Sequence, residues 1–222
     1  MASESERRIR ESLISVISEE FSWGVTLHEL QLRSHRAFVD VAHIDDKFHA
    51  FEIKSERDDF ARLNRQTRYY NEACSECTIV VHERHGRGFI PVPSWWGIWI
   101  AYETPNGTAF SIERRAEPNP TQDSRRLARV LRSTELGRIL HANDPGARVS
   151  GLSKDELVRR AYDVLGSALL VKLSLDILRT RRTWTSRQLG VATEDERLRV
   201  VQGRARPELG VLRPQLGLGA TA

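Results

Sequence analysis

Residues 36–55, RAFVDVAHIDDKFHAFEIKS, constrain the fold more than any other stretch of this chain. Two runs rich in Val, Ile and Phe flank the polar tripeptide Asp45-Asp46-Lys47, the arrangement of two strands folded back as an antiparallel hairpin. If Ile44 opposes Phe48, then Asp40 opposes Glu52, with Cβ atoms roughly 5 Å apart, and Lys54 shares their face. A one-residue bulge would displace this register.

Two carboxylates held that close repel unless a cation lies between them. Oxygen ligands from Asp40, Glu52, the Ile53 carbonyl and water suit Mg²⁺ or Mn²⁺, and a metal there activates water and offsets charge on an attacked phosphodiester. Lys54 can then orient or deprotonate the nucleophile, or neutralise the charged phosphorus centre. Spacing alone leaves a second reading open: a surface Asp beside a structural Glu/Lys pair on a half-exposed sheet.

Strand signals dominate up to residue 116. A helix is expected over 5–20, where Ile9, Leu13, Val16 and Ile17 fall near helical spacing. VTLHELQL, RAFVDVAHI and KFHAFEIKS read as three strands. Ser55 and Asp58 form a capping-box-like start for a helix with Phe60, Leu63, Thr67, Tyr70 and Cys74 on one face. CTIVVHER and WGIWIAYE supply two further strands. The order is that of an α/β sandwich with a mixed sheet.

EPNPTQ, residues 117–122, is a Pro- and Asn-punctuated break and the expected domain boundary. Beyond it the pattern turns helical: RRLARVLRSTELGRIL, then DELVRRAYDVL opened by Ser153 and Glu156 and stopped at Gly166, then ALLVKLSLDILRTRRTW. The division is thus a core over 1–116, a helical module over 117–190, and a tail over 191–222 whose scattered Gly, Pro and Arg predict partial disorder.

The D-x11-E-I-K pattern, entered from a strand after an N-terminal helix and followed by a helix, resembles the PD-(D/E)XK nuclease superfamily. FEIKSERDDFARLNRQ, the next strand with its ERH, and PSWWGIWIA resemble a small bacterial family within it whose biology is poorly defined. The likeness covers about residues 7–115, with a weaker echo to about 184. It implies a restriction-endonuclease-like core: helix, three-stranded meander, helix and further strands in a mixed sheet. Position by position it makes Asp40 and Glu52 metal ligands and Lys54 the catalytic lysine. Gln66 matches a glutamine that holds a phosphate or the attacking water in such sites, and Glu29 is a candidate third acid. Val39 stands where a proline usually precedes the first acid. Glu19 and Glu20, where some relatives place an acid, are better explained as an exposed helix end. A defence, mobile-element or repair setting follows from the same likeness.

Rival constellations are weaker. Cys74, Cys77, His82 and His85 read C-x2-C-x4-H-x2-H, but TIVV between the pairs is a strand that would carry them apart, so free thiols are expected. Trp95, Trp96 and Trp99 beside Pro and Gly are expected to pack, with Trp96 the most exposed. His28, His35, His43 and His49 are expected on different faces of the hairpin region.

Charge is unevenly divided. Residues 1–116 hold 15 Lys/Arg against 18 Asp/Glu, whereas residues 117–222 hold 19 against 12, and all but four of the basic residues are arginine. Arginine suits bidentate phosphate contacts, so the C-terminal part is expected to bind DNA through Arg148, Lys154, Arg159, Arg160, Arg179, Arg181 and Arg182. STELGRIL, a loop and LSKDELVRRAYDVLG resemble in outline the helix-extended-helix of SAP-like DNA-binding modules. The alternative is a helical cap with a solvated arginine face.

The expected protein is therefore a Mg²⁺- or Mn²⁺-dependent DNA endonuclease, with a noncatalytic DNA-binding or interaction protein on the same fold as the rival. DNA is the expected partner, a second copy of the chain is left open, and no membrane is expected. No apolar run approaches the roughly 20 residues of a span, and the charged N-terminus lacks the apolar centre of a signal peptide, so a cytoplasmic location is expected.

Overall fold

The computed structural model describes residues 3–21, 23–33 and 37–181. The helix α1 (Glu4–Glu20) starts at an N-cap Ser3 whose side chain accepts from the Glu6 N–H. Strands β1 (Val25–Arg33), β2 (Ala37–Ile44) and β3 (Phe48–Lys54) follow as an antiparallel meander. Helix α2 (Leu63–Ala73) crosses over to β4 (Glu76–His82), which runs parallel to β3. A short α3 (Glu83–Gly86) and a loop lead to β5 (Gly97–Thr104), parallel to β4. Strand β6 (Gly107–Arg114) returns antiparallel to β5, completing a six-stranded mixed sheet in chain order β1 to β6.

Three local readings are corrected here. Strand β6 was absent from the expected order, although Asn106-Gly107 is a strong hairpin signal and Gly107 takes φ 133°, a conformation open to glycine. Helix α2 begins at Leu63, not after Ser55. The Asp58 carboxylate does accept from the Ser55 N–H and hydroxyl, at 2.7 and 2.5 Å, but these bonds close a turn ahead of the helix. The run RRLARVLRSTELGRIL divides into α4 (Ser124–Ala128) and α5 (Ser133–Asn143), because Glu135 folds back to accept from the Arg132 N–H at 2.7 Å and starts a new helix there.

Both faces of the sheet are covered. Ile9, Leu13 and Ile17 of α1 pack on Val41, Phe51, Ile53, Val80 and Trp99. On the opposite face, α2 and the C-terminal helices α4, α5 and α6 (Lys154–Thr180) enclose a larger cluster with Phe48, Ala50, Ile79 and Val81. Residues 117–123 are bonded into this layer: Asn119 donates to the Asn71 and Cys74 carbonyls, and the Asp123 N–H to the Glu72 carbonyl. Helix α6 opens on the expected reciprocal bonds of Ser153 and Glu156 and bends at Gly166, whose φ of 70° takes it out of the helical region. The expected tail over 191–222 and Arg182 lie outside the described residues.

Among the described residues no helix is long and apolar enough to cross a membrane. All three tryptophans of the PSWWGIW stretch are buried. Trp96, the one expected to be most exposed, has 0% exposure, because it packs on Tyr70 and donates its indole N–H to Asn71 at 2.9 Å.

Candidate active site

The hairpin register is as expected from Ile44↔Phe48 through Val41↔Phe51, and there the ladder stops. One step further, the Asp40 carboxylate Oδ2 accepts from the Ile53 N–H at 2.8 Å, taking the place of a strand carbonyl. Asp40 and Glu52 therefore face each other where β2 and β3 part, and the gap between the strands is closed by a side chain.

The apolar alternation of β1 and β2 changes phase at this point. Val25 and Leu27, then Leu30 and Leu32, enter the core on the α2 face, as do Ile44 and Ala42, then Val39 and Ala37. Each strand skips one residue, and the skipped positions bracket Glu29 and Asp40, which the flanking register places across from each other. Glu29 accommodates the shift with φ 53°, the left-handed value that non-glycine residues seldom adopt. Expected as a third acid, Glu29 is thus opposite Asp40 and partly buried.

Glu52 and Lys54 are both buried, at 1% and 8% exposure. The Lys54 ammonium donates to Glu52 Oε1 at 2.7 Å and to Gln66 Oε1 at 3.2 Å. Its third N–H has no acceptor among the described residues. Gln66 and Tyr70 are one turn apart on α2 and so share the face turned to the sheet. The Tyr70 hydroxyl is 2.5 Å from Glu52 Oε2, to which it donates, and 3.0 Å from the Phe38 carbonyl. The expected set of Asp40, Glu52, Lys54 and Gln66 is thus brought together, with the Ile53 N–H bound to Asp40 and the Ile53 side chain in the α1-side core.

Sequence reasoning placed Tyr70 on the inner face of α2 without a part in the site. The signal it missed is the four-residue spacing from Gln66. Arg10, also missed, lies on α1 close enough to favour the anionic form of Asp40, and bonds Glu6 at 2.5 Å.

Burial and the Glu52 carboxylate push the Asp40 carboxyl well above the ordinary range, against the Ile53 N–H, Arg10 and Lys54. Burial also disfavours charge on Lys54, yet Glu52, Asp40 and Asp58 outweigh it and raise its pKa. Tyr70 is pushed well above the usual phenol value by burial and by Glu52 and Asp40, so it remains a donor. The site thus holds an ammonium ion and two acids, one of which keeps a proton readily until a second cation replaces it.

Tyr70→Phe removes the donor that fixes Glu52 Oε2 but keeps the ring packed on Trp96. We expect stability to fall by about 1–2 kcal/mol, measured by urea unfolding, since a buried acceptor loses its partner.

Among the other constellations, Cys74 and Cys77 are buried free thiols just before and at the start of β4, while His82 ends the strand and His85 lies beyond it, so no four-ligand centre forms among the described residues. Glu56, His82 and Glu103 do converge. His82 Nδ1, however, accepts from the Arg84 N–H at 3.2 Å, which puts the proton of the neutral ring on Nε2, the atom 3.9 Å from Glu103. That nitrogen then has no lone pair for a metal. His43 and His49, expected on different faces, are paired across the hairpin on one face, because antiparallel register aligns them.

Of the expected DNA-binding cations, Arg148, Lys154, Arg159 and Arg160 are exposed. Arg181 is engaged inside the protein, its guanidinium gripping Glu135 through two bonds of 2.8 and 2.7 Å. Arg179 bonds Asp176 at 2.7 Å and lies over the Trp23 ring.

The profile of bacteriophage P4 protein cII matches residues 2–201, which takes in the sheet, the acid-lysine cluster and the C-terminal helices. The chain belongs to the bacteriophage P4 protein cII family. No curated protein and no solved structure matches it.

Proposed function

We propose that this protein is a metal-dependent DNA endonuclease of the PD-(D/E)XK type, with a restriction-endonuclease-like core, cutting phosphodiesters at Asp40, Glu52 and Lys54. The observation that carries the proposal is the buried Lys54 ammonium between Glu52 and Gln66, beside Asp40, where the β2–β3 ladder opens. Burying Glu52 and Lys54 beside a partly exposed Asp40 is costly, and replacing such a group by apolar residues is often neutral or stabilising, so the cluster is hard to explain as a stability device.

The donor set fits Mg²⁺ or Mn²⁺. Asp40 and Glu52 offer hard carboxylate oxygens, each with a lone pair beyond those in its hydrogen bonds, and Glu29 stands across the strand as a further acid. When bound, such an ion acts as a Lewis acid that lowers the pKa of a ligated water and offsets phosphate charge. The protein's own groups do the rest. The free Lys54 N–H is available to a phosphate oxygen or the attacking water, where it would stabilise the negative charge that builds as the water adds. Gln66 holds the ammonium in place, and Tyr70 keeps Glu52 from turning away.

The substrate is held by the exposed cations Arg148, Lys154, Arg159 and Arg160, the first joined to α6 by a 2.8 Å bond from Arg160 to its carbonyl. This is the observation that favours the second reading, a noncatalytic DNA-binding protein.

Incubation with supercoiled plasmid in EDTA, Mg²⁺ or Mn²⁺ separates the two. We expect nicked and linear products only with metal, and loss of at least about a hundredfold in rate for Glu52→Gln. Plasmid retarded in a gel under all three conditions and never cut would favour the second reading.

A further inference from the structure

The most exposed large apolar side chain among the described residues is Phe89, at 87%. It stands on the loop between α3 and β5, in the sequence Glu83-Arg84-His85-Gly86-Arg87-Gly88-Phe89-Ile90-Pro91-Val92-Pro93. The loop is fastened on both sides of the ring. His85 Nε2 bonds the Ser55 carbonyl at 3.0 Å, Arg84 donates to the Glu56 carbonyl at 3.2 Å, and Phe60 packs on His85. Ile90 and Val92 pack against the core, and Pro91 and Pro93 restrict the backbone between them. An aromatic ring is therefore held outward on an ordered stem, one residue beyond Lys54 in its anchoring, with the exposed Arg84 and Arg87 beside it and Glu83 as the one acid of the segment.

A ring this exposed forgoes about 2 kcal/mol of burial, so the chain gains nothing by it until a partner covers it. The neighbouring guanidinium groups specify the partner as an anion with a flat apolar face. We propose that the Phe89 loop is a base-stacking site for nucleic acid, in which Phe89 stacks on an unpaired base and Arg84 and Arg87 meet the phosphates on either side. Every base has a π-face, so such a contact tolerates any sequence and requires a base freed from its duplex partner. The inference rests on the reading of DNA as substrate, and it goes further in assigning a preference for unpaired or distorted DNA.

The test is fluorescence anisotropy with a labelled single-stranded oligonucleotide and its duplex, in EDTA so that no cleavage occurs. Phe89→Ala is expected to weaken single-strand binding about tenfold and duplex binding much less, and Phe89→Trp to restore it with its added fluorescence quenched. Arg84→Ala with Arg87→Ala is expected to reduce the slope of log affinity on log salt by about 1.4. Unchanged single-strand affinity in Phe89→Ala would overturn the assignment. So would loss of self-association or of adsorption to lipid vesicles in that variant with oligonucleotide binding intact, because the ring would then belong to another surface. A protein that stacks bases but does not cut leaves this inference standing and the nuclease reading fallen; one that cuts with Phe89 silent does the reverse.

Discussion

Lys54→Ala is expected to lower metal-dependent cleavage by about three orders of magnitude, since it deletes a buried charged donor that lies between Glu52 and Gln66 and keeps an open N–H. The same change has a structural cost that must be separated from the chemical one. Lys54 is the cation against which Glu52 Oε1 is buried, at 2.7 Å with the two side chains 10% and 2% exposed. Removing one partner of such a pair leaves an uncompensated charge and costs about 3–5 kcal/mol, part of which the variant recovers by taking up a proton on the acids. The two are told apart by assaying Lys54→Ala at a temperature where its own urea unfolding shows it fully folded. If the single variant is merely unstable, cleavage returns there. If Lys54 acts on the phosphate, it does not. Equal nicking by wild type and Lys54→Ala, with both folded by circular dichroism, would remove Lys54 from the chemistry.

The acid-acid-lysine cluster was legible because strand periodicity is strict. A polar tripeptide between two apolar runs sets a register, and register sets which side chains meet. What was not legible is that the ladder ends at Val41↔Phe51 and that Asp40 bonds the Ile53 N–H. The clue was present in the spacing of Val25, Leu27, Leu30 and Leu32, two residues, then three, then two. That pattern is a phase shift, and it marks Glu29, whose left-handed backbone would otherwise be hard to foresee.

Other features depend on tertiary contact and leave little local trace. Trp96 looked like an exposed ring beside Pro93, yet Asn71, 25 residues earlier, supplies a buried partner for its indole N–H. Arg181 looked like part of a phosphate-binding face, and nothing near it in sequence announces Glu135, whereas the nearest carboxylate to Arg179, that of Asp176, is only three residues away. Charge counts say how many cations a segment has, and only the fold says which of them already have a carboxylate.

The His43–His49 pair is expected to cost the protein stability in mild acid. Burial is the chief reason that both rings resist protonation, which lowers His43 from 6.5 to about 4 and His49 from 6.5 to about 3. His43 bonds Thr26 at 3.0 Å and the Trp23 carbonyl at 3.1 Å, His49 bonds Thr78 at 2.8 Å, and Phe21 and Phe51 pack on their rings. The unfolded chain takes up both protons near pH 6.5, and the folded chain does not until about pH 4 and 3. Their stabilisation is therefore present in full above the unfolded value and drains away as pH falls from about 6.5 toward 4. Between pH 6 and 4.5 each ring should contribute close to 1.4 kcal/mol of lost stability per pH unit. Asp40 works in the opposite sense, because its raised pKa lets the folded state take up a proton that the unfolded chain still lacks. The total slope is thus a difference, and single variants resolve it. Urea unfolding of His43→Gln and His49→Gln across this range should each show a slope shallower than wild type by about one proton. Parallel lines for wild type and both variants would mean that these rings accept protons while folded, and that the hairpin opens to water where the structure closes it.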